Sequence, residues 1–181
     1  QRVTATPGVT TNAPTAAVVT AQLETLVAAI GATVAGLQSL LDQLASLAAS
    51  EPPHPGSGAS HEQVAAWADA HQGWEKEVNA VIGAIDSVNA KLADLEQQLH
   101  SLQQAIPLAI AKDKASAPKL AQYQAYVDTL RLQVAAAVVE VGKASTATRS
   151  KPLTAVALRS RFGALKPAVQ RTTTTARRWR P

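Results

Sequence analysis

The fold of this chain is decided by residues 64–106, which read VAAWADAHQGWEKEVNAVIGAIDSVNAKLADLEQQLHSLQQAI. Apolar side chains recur every seven residues from Val64 to Ile106, interrupted only by His71, and a second apolar row follows three positions later. Such a repeat is the a/d seam of a coiled coil. The predicted interface consists of Val64, Trp67, His71, Trp74, Val78, Val81, Ile85, Val88, Leu92, Leu95, Leu99 and Leu102. A helix over residues 61–106 would be about 69 Å long at 1.5 Å per residue, which predicts a rod.

Two further helices are predicted on either side of this stretch, over residues 15–49 and 117–143. Each repeats an apolar residue every seven positions, as a packed helix does. The rows are Leu23, Ile30, Leu37 and Leu44 in the first helix, and Leu120, Val127, Val134 and Val141 in the last. Because aromatic residues make up only 3% of the chain and alanine is abundant, closely packed helices are favoured over a thick globular core. The sequence therefore predicts an all-α fold.

The connections between these helices carry signals of their own. Residues 50–60 form a linker, since their three prolines and two glycines exclude a continuous helix. Ser60 and Gln63 then make a capping-box pattern at the start of the long helix, and Pro107 is expected to kink or end it at Ile106. Three helices joined in this way predict an elongated antiparallel three-helix bundle. Pairing of the long helix with a second copy as a coiled coil is the alternative.

Charge divides the chain into a mildly acidic body and a basic end. Residues 1–144 carry 13 acidic and 8 basic side chains, whereas residues 145–181 carry nine Lys or Arg and no Asp or Glu. Residues 1–14 are rich in Thr, Pro and Ala and predict an extended N-terminal arm. We therefore expect a bundle over residues 15–144, followed by a basic and largely irregular C-terminal arm over residues 145–181. One short helix fits within that arm, because Ala155, Leu158, Phe162 and Leu165 share a face.

The basic C-terminal arm is the candidate docking site. Its docking residues are predicted to be Arg159, Arg161, Phe162, Lys166, Arg171, Arg177, Arg178, Trp179 and Arg180. Nucleic-acid phosphates would attract these cations, and Trp179 could stack on an unpaired base. An anionic membrane would take the short amphipathic helix. An acidic groove in a protein assembly would accept the arm, with Phe162 and Trp179 as anchors.

Signatures of catalysis and of metal binding are incomplete. The chain has no Cys, so neither a thiolate nucleophile nor a cysteine metal site can form. His61 and Glu62 begin a zinc-protease pattern, but Ala65 stands where the second histidine is required. No carboxylate pair lies in an apolar stretch that would raise a pKa for acid catalysis. The sequence predicts a protein that is not an enzyme, with no cofactor, no metal and no small-molecule substrate.

Two segments allow a second interpretation. His71 interrupts the apolar seam, where it would fix the helix register as a polar residue or act as a pH-sensitive switch. Residues 25–41 carry no charge, but 17 residues fall short of the roughly 20 that a membrane-spanning helix needs. Their heptad order also favours a packed helix, so membrane insertion is disfavoured.

These features together predict a non-enzymatic structural subunit. Its rod would bridge or oligomerise, and its basic arm would dock among the protein subunits of a larger assembly, such as a virion, a phage particle or an organellar complex. Because residue 1 is Gln rather than Met, we expect the N-terminus to arise by processing. One alternative is a nucleic-acid packaging or tethering protein that uses the Arg-rich arm. Another is a secreted helical bundle that carries an apolar ligand.

Overall fold

The computed structural model describes residues 13–150 and 152–181, and these residues form α-helices with no strand among them. The helices are α1 (Ala16–Ala49), α2 (His61–Lys112), α3 (Ala117–Arg149), α4 (Ala155–Gly163) and α5 (Lys166–Arg177), with a 3₁₀ turn over Lys114–Ser116 between α2 and α3. The prediction of an all-α fold is confirmed. The predicted N-terminal arm lies outside the described residues, apart from Ala13 and Pro14.

Polar side chains at the helix starts satisfy backbone amides that have no partner within the helix. The Thr15 hydroxyl accepts a hydrogen bond from the Val18 amide at 3.1 Å. At the start of α2 the Gln63 amide donates to the Ser60 hydroxyl at 3.2 Å, and the Ser60 amide donates to Gln63 Oε1 at 2.9 Å. The predicted capping box is therefore confirmed.

Helix α2 does not end at Ile106, which was one of the two outcomes expected at Pro107, but continues through Pro107 to Lys112. Pro107 lies on the exposed face of α2, where the carbonyl group that loses its amide partner can be hydrated. Ile106 and Ala109 on either side of it are fully buried. Their packing, together with a 3.0 Å hydrogen bond from Lys112 Nζ to the Ala13 carbonyl, holds this last turn and a half against α1.

The three long helices pack antiparallel in chain order. The Trp74 indole Nε1 near the start of α2 donates to the carbonyl of Leu47 near the end of α1, at 2.7 Å. Between α2 and α3, the Asn89 amide nitrogen donates to the Val138 carbonyl at 3.1 Å, and Arg149 forms an ion pair with Asp86. The first contact joins the start of α2 to the end of α1, and the other two join the second half of α3 to the middle of α2, so each pair runs antiparallel. The hairpins they make are those of an up-down bundle.

The C-terminal segment is not the irregular arm that the sequence predicted, because α4 and α5 pack against both α1 and α3. Together they fill a fourth position in the bundle, across from α2. The predicted row of Ala155, Leu158, Phe162 and Leu165 is buried there and continues into α5. In α5 the hydroxyl of Thr172 donates to the Ala168 carbonyl at 3.1 Å, and that of Thr173 to the Val169 carbonyl at 2.9 Å. These bonds satisfy the threonine hydroxyls inside a helix that their composition disfavours and that packing against α1 and α3 holds in place.

Most of the predicted seam of α2 faces the core of this same chain. Trp74, Val78, Ile85, Leu92, Leu95, Leu99 and Leu102 are buried, and Val81 and Val88 pack partly buried against them. Ile82 is also fully buried, outside the two heptad rows, because α2 packs on two neighbours and not on one. At the start of the helix, Val64 is exposed and Trp67 only partly buried. The seam is thus occupied by α1 and α3.

Helix α1 is long and apolar enough to cross a membrane by length and composition alone. In the fold its apolar stripe is fully buried at Leu23, Ile30, Leu37 and Leu44, which pack within the bundle core. The core helix of a soluble bundle meets the same length and hydropathy test.

Candidate functional site

The basic side chains of the C-terminal segment lie on the outward surface of α4, of α5 and of the residues that follow, and we call this surface the basic face. It consists of Arg159, Arg161, Lys166, Arg171, Arg177, Arg178 and Arg180, all of which are exposed. Helix α4 begins at a Thr154 cap, whose hydroxyl accepts from the Ala157 amide at 3.1 Å. Since Leu158, Leu165 and Val169 point into the core, the basic residues between them are directed to solvent.

None of these seven cations forms an ion pair within the described part of the chain. Neither α4 nor α5 contains an acidic residue, and residues 1–12 and 151 contain none either. Elsewhere on the bundle some of the cations are paired: Arg131 lies 3.5 Å from Glu96, and Arg149 pairs with Asp86. The basic face therefore keeps its positive charge available for an external anion.

The fold spreads the basic face over both flanks of the α4–α5 segment. Arg171 on α5 and Arg178, which directly follows the end of α5, are seven residues apart and line the same shallow groove toward α3. Arg161 lies on the α3 side of α4, whereas Arg159 and Lys166 lie at the groove toward α1. At about 1.5 Å per helical residue, the cations from Arg159 to Arg178 cover about 30 Å of bundle length.

The two aromatic side chains predicted as anchors are not free to leave the bundle. Phe162 is only 4% exposed and is part of the core. The Trp179 ring packs on two rings of α3, with its centroid 5.0 Å from that of Tyr123 and 5.4 Å from that of Tyr126. The Tyr126 hydroxyl donates to the Thr175 carbonyl at 2.7 Å, and its burial raises the pKa of Tyr126 to about 12. These aromatic residues attach the end of the chain to α3 and leave the cations outside.

A second polar cluster lies where the linker, α2 and α4 meet. His71 Nε2 lies 2.8 Å from Glu51 Oε2, and His71 Nδ1 lies 3.3 Å from Glu75 Oε1. The other oxygen of Glu51 accepts from the Ala155 amide at 2.8 Å, at the start of α4. The imidazole sits between the indoles of Trp67 and Trp74, with ring centroids 5.0 and 5.1 Å away. Glu51 thus connects His71 to the first turn of α4.

Proton equilibria in this cluster follow from its contacts. The hydrogen bond to Glu51 raises the pKa of His71, an effect that partial burial opposes and Glu75 reinforces. Partial burial disfavours the charged form of Glu51, but the bonds from the Ala155 amide and from His71, together with the charges of His71 and Arg159, outweigh it and lower the pKa of Glu51. A protonated His71 donates from both ring nitrogens to the two carboxylates, so the charged pair is the favoured state.

Sequence reasoning singled out His71 but neither of its partners. Glu75 stands four residues after His71 on the same helix, a spacing that can be read directly from the sequence. Glu51 is 20 residues away in the linker and reaches His71 only because residues 50–60 fold back along α2. The Trp67 indole also contacts this folded-back linker, since it donates to the Pro52 carbonyl at 3.0 Å.

Within the described residues, no group of three or more His, Cys, Asp or Glu side chains could hold a metal ion. Comparison with protein-family models, with curated proteins and with solved structures finds no match for this chain. Function therefore has to be inferred from the physical chemistry of the chain itself.

Proposed function

We propose that this protein is a non-enzymatic structural subunit that attaches to an anionic surface of a larger assembly through the basic face of α4 and α5. The proposed assembly is a virion, a phage particle or an organellar complex. The observation that carries the proposal is the set of seven exposed cations that form no ion pair within the described residues.

The folded state of the basic face supports a docking role. A flexible arm loses conformational entropy when it binds, whereas side chains on packed helices already have their backbone fixed. Leu158, Phe162, Leu165 and Val169 hold these helices against α1 and α3. The cations are therefore presented to a partner in a preorganised array.

The packing of α2 supports a monomeric bundle as the docking unit. A coiled coil between copies would need the α2 seam, but Val78, Ile85, Leu92 and Leu99 are fully buried within the chain. Opening the bundle to expose them would cost roughly 2 kcal/mol of hydrophobic burial for each side chain. We therefore propose that the rod bridges as a single bundle and that assembly proceeds through its surface.

Nucleic-acid tethering is the second candidate, and the length of the cation array favours it. Cations spread over about 30 Å can contact several phosphates of one duplex, whose charges are spaced about 1.7 Å apart along its axis. Trp179 packs on α3, so base stacking by this residue would not contribute in the folded protein. The binding expected here is to phosphate, without sequence preference.

One titration separates these two candidates. The full chain would be titrated against poly-glutamate and against a mixed-sequence DNA duplex across a salt series. The test variant is Arg171→Gln with Arg178→Gln, and the matched control is Lys76→Gln with Lys91→Gln, which removes two exposed cations from α2.

The proposed role predicts binding to poly-glutamate that the test variant weakens and the control leaves unchanged. Tighter binding to DNA, with a log–log salt slope that falls by about 2 in the test variant, would place tethering first. If the wild-type chain bound neither polyanion at low salt, the docking proposal would fail.

A further inference from the structure

A groove opens between α1 and α4 beside the basic face, and we call it the α1–α4 groove. Its volume is about 240 Å³. Four apolar side chains form its floor, namely Leu41, Leu44, Leu158 and Phe162, and each of them is buried. The groove therefore offers a water-exposed mouth above an apolar base, which is the form of a site that takes an apolar group.

Small residues form part of the walls of the groove. Ala45 faces it from α1, and Gly163 faces it from the end of α4. A Cβ atom added at Gly163 would meet nothing within 4 Å, so the space beside this glycine is not filled by the chain. The absence of larger side chains at these two positions leaves this part of the groove open.

The mouth of the groove is lined by two cations of the basic face. Arg159 and Lys166 are both exposed and form no ion pair within the described residues. One carboxylate, that of Asp42, is also at the mouth, and it accepts a hydrogen bond from Gln38 Nε2 at 2.9 Å. The rim thus carries a net positive charge, which favours an occupant with acidic groups around an apolar centre.

The size of the groove decides between the kinds of occupant. Sites for drug-sized ligands and cofactors usually measure about 300–1,000 Å³, so a space of about 240 Å³ is small for a lipid chain or a cofactor. It suits one Leu, Phe or Trp side chain, the kind of anchor on which protein interfaces concentrate their binding energy. A nucleic-acid backbone has no apolar group to cover the floor.

We infer that the α1–α4 groove receives one large apolar side chain from an acidic segment of a partner protein, with Arg159 and Lys166 contacting the flanking carboxylates. The inference rests on the proposed docking function and locates its binding centre at one end of the basic face. Arg171 on α5 and Arg178 directly after it then steer the acidic partner toward the groove.

Peptide display tests the inference without knowledge of the natural partner. A phage library of random 16-residue peptides would be selected against the full chain, and enriched peptides would be synthesised for titration. We expect one Leu, Phe or Trp with Asp or Glu three or four positions away, the spacing of one helical face. Enrichment of peptides without acidic residues, or of none, would overturn the inference.

Two variants locate the binding. Ala45→Trp fills the groove from an exposed position of α1 and should weaken the selected peptides at least about tenfold, as loss of an anchor contact does. Ala32→Trp is the matched control, because Ala32 is exposed on the same helix outside the groove. Equal affinity of the two variants would contradict the assignment. Because Ala45→Trp leaves Arg171 and Arg178 intact, its unchanged binding to poly-glutamate would separate this failure from failure of the proposed function.

Discussion

Helix α2 and the α4–α5 segment occupy opposite sides of one bundle and obtain their helical structure in different ways. α2 is 52 residues long, starts at a capping box and repeats apolar residues every seven positions. α4 and α5 are 9 and 12 residues long, and α5 contains four consecutive threonines. Helices this short are marginal in water without tertiary contacts. Local sequence therefore specifies α2, whereas packing on α1 and α3 specifies α4 and α5.

The largest effect is expected from a charge placed in the core row of α2. Leu99 is fully buried, so Leu99→Lys places an unpaired ammonium in an apolar core and should lower the free energy of unfolding by about 4 kcal/mol or more. Thermal unfolding followed by circular dichroism would lose its cooperative transition. The control is Leu132→Lys on α3, at a position that is 71% exposed, and it should leave the transition in place. Similar melts for both variants would contradict the assignment of the core row.

A smaller and more local effect is expected in α4. Leu158 is buried, and Leu158→Ala should cost about 2–4 kcal/mol. Because α4 and α5 depend on packing, their amides should lose protection from hydrogen exchange while those in the middle of α2 keep it. Val156→Ala, at a position that is 74% exposed on the same helix, is the matched control. Uniform loss of protection over all helices would show that the two regions unfold as one unit.

The smallest effect is expected at His71 and Glu51, where the linker residue Glu51 connects α2 to the first turn of α4. A raised pKa of His71 stabilises the fold below the ordinary histidine value of 6.5, and this contribution is lost as pH rises through the folded-state pKa. A lowered pKa of Glu51 stabilises the fold above 4.5, and this contribution is lost as pH falls through its folded-state pKa. The stability difference between wild type and His71→Gln should therefore be largest, about 1 kcal/mol, between those two values.

Urea unfolding at pH 5.5 and pH 8.5 measures this difference. The wild type should lose its advantage over His71→Gln at the higher pH. His100→Gln serves as the control, because His100 lies on the same helix and forms no ion pair within the described residues. An advantage that is the same at both pH values would show that His71 acts through packing alone.

The sequence predicted helices where periodicity was long and strong, and it failed where a helix depends on its neighbours. The rows containing Leu37 and Leu92 identified α1 and α2, because a buried stripe has to recur at helical spacing. The sequence predicted a kink or an end at Pro107 and an irregular segment over the threonines of α5, because the local preferences of these residues oppose a helix. Tertiary packing outweighs those preferences, and both segments are helical. The heptad count missed Ile82, because it assumes a single partner helix.

For the candidate site too, the sequence predicted one part and the tertiary structure decided the other. Composition alone located the basic residues of the C-terminal segment, but it grouped Phe162 and Trp179 with them as docking residues. Only the folded bundle distinguishes the aromatic residues from the cations, because Phe162 packs in the core and Trp179 packs on α3 while the cations stay exposed. The α1–α4 groove is formed by residues more than 100 positions apart, such as Leu41 and Leu158, and has no local signature.

The sequence by itself determined that this protein is helical, that its longest helix presents an apolar seam and that its cations gather at one end of the chain. Those properties depend on residue type and spacing within single segments. Tertiary structure alone decided that most of the α2 seam packs against α1 and α3 of the same chain. It also decided that the basic segment folds as a fourth member of the bundle and that Glu51 contacts His71. These outcomes depend on contacts between distant segments, whose free energies outweigh the local preferences that a sequence displays.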